Sequence, residues 1–336
     1  LIRKGFDMRL KPILISFVLG ALTCTQWLPA HGQSTPPYPT KPIRFVVPYP
    51  PGGTTDLVAR GIGLTLGPRL GQQVVVDNRG GASTIIGAEV GAHAAPDGYT
   101  LLLVTQTTLS INPNVYPKLP YDATRDFAPI TPAVYFPYVI AAHPAVPANS
   151  IKELIELAKA KPGTIKYSTP GTASTNHLAG AQFESMTGTR LVHVPYKGSG
   201  PAFTGMLSGE VDLIITGIAT VLPQVKSGRA KFIAVCAEKR LANWPEIPAV
   251  GETPGLKGYE GGTWFGVVTK AGTPRAIVQK LNREIVATLA TPDLRERFTA
   301  VGFEVRTSTP EEFARFIKTD MARMGQIIKG AAIKLN

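Results

Sequence analysis

A chain of 336 residues, 44% hydrophobic and 17% charged, has material for one large domain or two ordinary ones, and its composition is globular, not disordered or fibrous. The formal charge of +12 biases the field toward anionic ligands, but no basic stretch carries interleaved aromatics, which excludes a nucleic-acid module. Neither paired cysteines nor histidines at metal-ligand spacing occur, so no metal or cofactor is implied.

The first residues read as a secretory signal peptide over residues 1–32. Met8-Arg9-Leu10-Lys11 is a short basic start, Ile13 to Thr23 an apolar run too short to span a bilayer, and Ala30 and Gly32 small residues at a cleavage site. Leu1 to Asp7 are read as lying upstream of the natural start. Cys24 weakly resembles a lipoprotein site, but Thr23 fits poorly before such a cysteine, so cleavage after Gly32 is expected. Export to the periplasm follows. Removing residues 1–32, with four basic residues and one acid, lowers the formal charge to +9. Cys236, in "FIAVCAEKR", is then the only cysteine; no disulfide can form within the mature chain, and a lone cysteine in an apolar strand is expected in the core. No later apolar stretch is long enough to cross a membrane.

Beyond an extended, proline-rich leader, "IRFVVPY" reads as a strand, "PPGGTTD" as a turn and "DLVARGIGLTLGPRL" as a helix. Strand "QQVVVDNR", the turn "GGAST", helix "IIGAEVGAHAA" and strand "YTLLLVT" follow. Strands that are continuously apolar between helices predict parallel βαβ units covered on both faces. Gln106 to Phe127 is polar and proline-rich, so loop or short helix is expected there. After the apolar stretch Val134–Ala142 a second series begins. Ser150 caps "IKELIELAKAK", and strands "TIKYST", "RLVHVPY", "VDLIITG" and "AKFIAVCA" alternate with helical segments. "GGTWFGVVTKAG" is a returning strand, and two helices close the chain. The two series predict two similar lobes, with Val134–Ala142 and Thr263–Thr269 as crossing strands. Ligands of such sheets lie beyond the carboxyl ends of the strands.

Three strand-to-helix turns share one character: Pro50 to Asp56, Thr169 to His177 and Tyr196 to Ala202 are rich in Gly, Ser and Thr. First-turn amides lack intrahelical partners, and the helix dipole adds positive potential, so each turn can cradle a carboxylate or phosphate. Turns of this kind also need Gly for geometry and Ser, Thr or Asp for capping. Three of them facing one cleft favour the anion cradle. Enzymatic signatures are missing: no P-loop and no G-x-S-x-G occur, and Ser174 with His177 is only a spacing at a helix start. His93 is expected at the surface, His193 in the core or at a strand edge, and His177 near the cleft.

The set "PYPPGGTTD", "APDGYTLL", "INPNVY", "HLAG", "VPYKGSGPA", "GEVDLI", "WFGVV" with "AGTP", and "LNREI" carries a resemblance along essentially the whole mature chain. The chain resembles the solute-binding receptors of tripartite tricarboxylate transporters, often called Bug receptors. The resemblance implies an α/β, two-lobed periplasmic binding protein of type II, a Venus flytrap whose lobes are joined by two crossing strands. Lobe 1 is expected over 33–138 and 262–336, and lobe 2 over 139–261. A small carboxylate would be held between lobes by loop amides, hydroxyls and ordered water, then delivered by a monomer to a two-part membrane permease.

By position, the resemblance implies first-lobe contacts from Tyr49, Gly52, Gly53, Thr54, Thr55 and Asp56, with Thr105, Gln106, Thr107 and Thr108 along the same edge. The second lobe would offer Ser168, Thr169, Thr172, Ser174 and His177, with Lys197 and Gly198. Two departures from the family pattern stand out. Ser83 and Thr84 occupy positions that are usually glycine, and join the candidate contacts. Thr216 stands where an aspartate commonly ends the strand after "GEVDLI". Losing that acid removes a partner for a ligand ammonium and weakens repulsion of a second carboxylate. An amine-free ligand is therefore expected, a dicarboxylate or an aromatic carboxylate. Two rivals stay open on sequence: a receptor that signals to a membrane sensor, and a secreted hydrolase using Ser174 and His177.

Overall fold

The run Ile43–Val47 is buried on both faces because helices cover it from either side. The structure is a computed structural model that describes residues 38–196 and 199–330. The signal peptide expected over 1–32 lies outside the described residues, as do Lys197 and Gly198.

The first series runs β1 (Ile43–Val47), α1 (Thr54–Leu70), β2 (Val74–Asn78), α2 (Ile85–Ala92) and β3 (Thr100–Thr105). A π-helical turn over Thr107–Ile111 and the short α3 (Asn112–Val115) fill the polar stretch expected to be loop or short helix. Strand β4 (Phe127–Ala142) then leads into the second series. This comprises α4 (Ile151–Ala160), β5 (Lys166–Thr169), α5 (Thr175–Thr187), β6 (Val192–Pro195), α6 (Ser199–Leu207), β7 (Leu213–Gly217), α7 (Ile218–Lys226) and β8 (Lys231–Val235). The chain returns through β9 (Gly262–Lys270) and ends on α8 (Arg275–Leu289), α9 (Pro292–Ala300), β10 (Glu304–Val305) and α10 (Pro310–Gly330). As expected, Ser150 caps α4: its hydroxyl accepts from the Glu153 amide at 3.2 Å.

The strand order is β2-β1-β3-β9-β4-β7-β5-β6, with β8 and β10 also pairing β4. Strands β1, β2 and β3 are mutually parallel, as are β5, β6 and β7, so both βαβ series form as the apolar pattern predicts. Strand β4 belongs to both halves of this curled sheet. Phe127 to Pro137 pair antiparallel with β9, whereas Tyr138 to Ala142 pair with β7 on one edge and β8 on the other. The strand starts seven residues before the stretch read from sequence as strand. Pro129 and Pro132 lie in this added stretch, and the register shifts there absorb residues that have no amide to donate. The second crossing is made at the entry to β9. Gly261 bonds to both Tyr138 and Cys236 through the backbone, and Cys236 is buried, as expected of a core cysteine.

Each half carries apolar cores on both faces. Ile43 and Phe45 meet α1 and α8 on one side, while Val46 and Leu102 face α2 and α10 on the other. In the second half, Tyr138 and Ile140 pack toward α4 and α5, and Val139 and Ala141 toward α6 and α7.

One buried acid ties α10 to the strand system. Asp320 is 2% exposed and accepts from Trp264 Nε1 at 2.8 Å, Gln106 Nε2 at 3.0 Å and Arg323 Nη2 at 2.8 Å. Arg323 also donates to the Glu260 carbonyl at 3.3 Å, just before β9 begins. A carboxylate with three donors compensates its own desolvation, and without it those donors stay buried and unpaired. Asp320→Ala should therefore cost about 3–5 kcal/mol, read as a lowered urea midpoint with an unchanged m-value. A loss within the scatter of surface substitutions would show that the network is not structural.

Candidate functional site

The turn after β1 is built before any ligand arrives. Gly52 sits at φ +86°, in the left-handed region that admits glycine without strain. Its amide donates to Asp56 Oδ2 at 2.9 Å, and Asp56 also accepts from Arg60 Nε at 2.9 Å and Asn78 Nδ2 at 3.0 Å. Burial pushes the Asp56 carboxyl up, but Arg60, the Gly52 amide and Asn78 more than offset this and hold it below the usual range. Asn78 Nδ2 donates as well to the Tyr49 carbonyl at 3.1 Å. On its outer side the turn lies against Gly80, where a Cβ would come within 2.7 Å of Pro50. The proline ring and the missing side chain together set the turn's position.

This turn forms one wall of a cavity of about 570 Å³ where the two halves of the sheet meet. Tyr49, Pro50, Pro51, Gly53, Thr54, Thr55 and Leu57 come from it, and Thr107 from the π-helical turn after β3. Strand β4 contributes Phe136 and Tyr138, at the point where it changes partners. The facing wall is made of helix starts: Thr175 and Asn176 on α5, Ser199 on α6, and Thr216, Gly217, Ala219 and Thr220 at the β7–α7 junction. Thr263, Phe265, Val301 and Phe303 close the remaining side. The cavity thus lies beyond the carboxyl ends of β1 and β7, the expected location in an open α/β sheet.

Its electrostatics come from the backbone. Neither α1 nor α7 has a side-chain cap, and their N-caps, Gly53 and Gly217, both line the cavity. Their first-turn amides are therefore available to an acceptor, reinforced by the helix dipoles. Among the described lining residues none carries a formal charge. Tyr49 and Tyr138 keep their protons: burial raises both hydroxyls, with Thr105 and Thr107 opposing at Tyr49 and Thr175, 2.5 Å from Tyr138 Oη, opposing at Tyr138.

Of the twenty residues singled out from sequence, Tyr49, Gly53, Thr54, Thr55, Thr107 and Thr216 line this cavity. Gly52 and Asp56 hold the turn from behind. Ser83, Thr84, Thr105 and Thr108 sit in an internal chain: Thr108 Oγ1 donates to Thr84 Oγ1 at 3.0 Å and lies 3.2 Å from Thr105 Oγ1, while Asn112 Nδ2 donates to the Ser83 carbonyl at 2.8 Å. Ser83 and Thr84 adopt φ values of 50° and 77°, so the backbone form that favours glycine at these positions survives without glycine. Gln106 is engaged by Asp320. Lys197 and Gly198 lie outside the described residues.

The second-lobe candidates mostly serve their own loop. Ser168 donates to the Ala202 carbonyl at 2.9 Å, and Thr169 Oγ1 to the Gly171 carbonyl at 3.1 Å. Thr172 is exposed. Ser174 caps α5 by accepting from the His177 amide at 3.2 Å and donates to the Gly171 carbonyl at 2.7 Å. Residues facing the cavity come just after this cap, Thr175 and Asn176. The cap itself was the available signal, since first-turn residues follow it. Nothing local in sequence marked Phe136, Phe265, Val301 or Phe303, which arrive from distant elements.

His177 lines a separate cavity of about 430 Å³ and stacks on His193, with ring centroids 3.6 Å apart and planes at 9°. His177 Nδ1 accepts from the Ala173 amide at 3.1 Å, and His193 Nε2 lies 2.6 Å from Thr169 Oγ1. Burial lowers both imidazoles from an ordinary 6.5 to about 4, His193 further disfavoured by its neighbour. Folded, both stay neutral until about pH 4, whereas the unfolded chain takes up its protons near 6.5. Their contribution is therefore complete above about pH 6.5 and is lost as pH falls toward 4. Urea midpoints should decline from pH 7 to 4.5, and His193→Gln should remove about half of the decline. A midpoint flat over that interval would contradict the buried neutral stack.

Three comparisons bear on this geometry. The Tripartite tricarboxylate transporter family receptor (TctC) family matches residues 58–333. The chain is 34% identical to Protein BugT of Bordetella pertussis over 319 residues, covering 95% of this chain and 97% of BugT. Among solved structures it is similar to the periplasmic binding protein BugD, at 36% identity and a TM-score of 0.72, covering 88% of this chain and 99% of that one. It is also similar to Rpa4515 of R. palustris, solved with adipate, at 33% identity and a TM-score of 0.76 over 88% and 99%. The α/β architecture with its curled sheet is thus that of two-lobed periplasmic binding proteins, and the chain belongs to the receptor family of tripartite tricarboxylate transporters.

Proposed function

We propose that this protein is a periplasmic receptor that captures a small, amine-free carboxylate between its lobes and presents it, as a monomer, to a two-part membrane permease. The observation that carries this reading is the convergence of two uncapped helix N-termini, one from each half of the sheet, on one cavity. In this reading residues 33–138 and 262–336 form lobe 1 and residues 139–261 lobe 2, with β4 and the entry to β9 as the connections. The N-terminal segment 1–32 is the export signal. Thr216, 5% exposed at the end of β7, supports the amine-free ligand: the described lining offers no acid to pair with an ammonium. Binding rather than turnover is the assigned task. Ser174 and His177 meet through the amide that caps α5, and Ser174 Oγ donates to Gly171 instead of to the imidazole. No helix among the described residues is long and apolar enough to cross a membrane.

The test is a thermal-shift panel on the exported protein, washed free of carried-over ligand. It contains aliphatic dicarboxylates, tricarboxylates, aromatic carboxylates, amino acids, and neutral or cationic analogues. A ligand at a hundred times its dissociation constant adds about 2.7 kcal/mol, which at this size raises Tm by roughly 4 °C. The expected outcome is a shift with amine-free carboxylates only. Tighter binding of an amino acid would sink the amine-free assignment. A shift confined to neutral or cationic compounds would sink carboxylate capture altogether.

A further inference from the structure

His177 does not line the ligand cavity, yet it holds the loop that leads into the cavity's second wall. We infer that His177 is a positioning residue for ligand binding: its Nδ1 fixes the turn at Ala173 and, through that turn, the start of α5. The consequence for affinity rests on the carboxylate-receptor reading above, whereas the positioning itself does not.

The loop between β5 and α5 needs holding. Ala173 sits at φ +57°, in the left-handed region that a residue with a Cβ resists. Ser174 follows as the cap of α5, and after it come Thr175 and Asn176, which line the cavity. The cap takes the His177 amide, so the amides of Thr175 and Asn176 have no intrahelical acceptor. Only a correctly placed turn presents these donors to a ligand. Thr175 Oγ1 lies 2.5 Å from Tyr138 Oη, and Asn176 Nδ2 donates to the Ile215 carbonyl at 2.8 Å. Those two contacts define where the turn must sit, and the conformation of Ala173 lets the chain reach it.

The Ala173 amide donates to His177 Nδ1 at 3.1 Å, a bond that exists only while that nitrogen carries no proton. Burial keeps the imidazole neutral at pH 7, since it lowers the ring from 6.5 to about 4. The proton of the neutral ring is therefore on Nε2. His193 fixes the plane of the ring by stacking on it at 3.6 Å and 9°. His193 is itself tied to the start of the same loop. Its Nε2 lies 2.6 Å from Thr169 Oγ1, whose own proton goes to the Gly171 carbonyl at 3.1 Å, so the imidazole is the donor there. The two rings thus brace both ends of the loop, at Thr169 and at Ala173. Tyr167 backs the pair, its ring centred 5.2 Å from that of His193. Gly180 lets α5 come this close, because a Cβ there would fall within 2.5 Å of the Tyr167 ring.

The test compares His177→Asn, whose Oδ1 stands near the place of Nδ1, with His177→Leu, which fills the space and has no acceptor. Each is measured at pH 7 by hydrogen exchange of the backbone amides of residues 171–177 in the unliganded protein. Each is also titrated calorimetrically with adipate, citrate and benzoate. His177→Leu should speed exchange of the loop about ten-fold, and weaken those of the three carboxylates that the native protein binds by a similar factor. His177→Asn should restore both readouts. Ala173→Gly, which relieves the left-handed turn of its strain, should recover most of the loss when added to His177→Leu. A histidine that only filled space would give the opposite order, with leucine tolerated and the smaller, polar asparagine worse. That order, or no recovery by Ala173→Gly, overturns the positioning role, as does faster exchange with unaltered affinity. Binding of none of the three carboxylates overturns the receptor reading, and exchange then decides the positioning alone. Should His177→Leu not fold, the ring nitrogen chemical shifts of His177 in the unaltered protein decide. A bare Nδ1 with a protonated Nε2 is expected, and a proton on Nδ1 overturns the inference.

Discussion

The structure depends on one strand that changes partners. Along its sixteen residues, β4 pairs first with β9 and then with β7 and β8, without interruption between Pro137 and Tyr138. Every backbone amide in a buried strand needs an acceptor, so a strand can leave one sheet only where another offers a new ladder. The switch therefore fixes where the halves join. It also fixes the floor of the cavity, because Phe136 and Tyr138, on either side of the switch, both face it. Gly261 bonds to Tyr138 and Cys236 at the same level, which places the return connection beside the outgoing one. Two connections side by side confine any relative motion of the halves to a short span beneath the cavity.

The first wall of the cavity is rigid for a reason that does not involve ligand. Asp56 neutralises Arg60, holds the Gly52 amide and, through Asn78, is joined to the Tyr49 carbonyl. The acid that heads α1 is consumed in holding the turn, which leaves the Gly53–Thr54–Thr55 backbone without a side-chain cap. The opposite wall follows a different rule. Ser174 caps α5, whereas α7 begins at Gly217 with no cap. Where a cap is absent at a buried helix end, the donors wait for an external acceptor. The pattern of caps, more than the count of polar residues, separates recognition surface from support.

That distinction also explains what could be read in the sequence. The parallel βαβ series were legible because strands covered on both faces must be continuously apolar, as "IRFVV" and "LIITG" are. The turn after β1 was legible for the same reason of local chemistry: prolines and glycines leave few conformations. On the second wall the residue types were right but their assignment was not legible, since a serine that caps its helix and a threonine that faces the cavity look alike in sequence. Ser174 and Thr175 are adjacent and differ only in the direction their side chains take. Ser83 and Thr84 illustrate another limit: their positive φ values are held by Thr108 and Asn112, more than twenty residues away. The aromatic side was invisible because Phe136, Phe265 and Phe303 come from three strands or connections whose meeting is a property of the fold alone.

Charge is distributed on two scales that serve different steps. The chain as a whole is strongly basic, so its long-range field draws anions toward it. The described lining residues of the cavity include no cation, and what they offer an anion is helix-end dipoles and hydroxyls. A lysine or arginine in the cleft would attract many anions with little regard to shape. Dipoles at two helix ends act over a single turn, and reward only an acceptor placed where both walls can reach it. An anion held in this way is gripped when the walls are together and loses half its partners when they part. Donors that come from helix ends on both walls would tie the retention of such an anion to the position of the two halves.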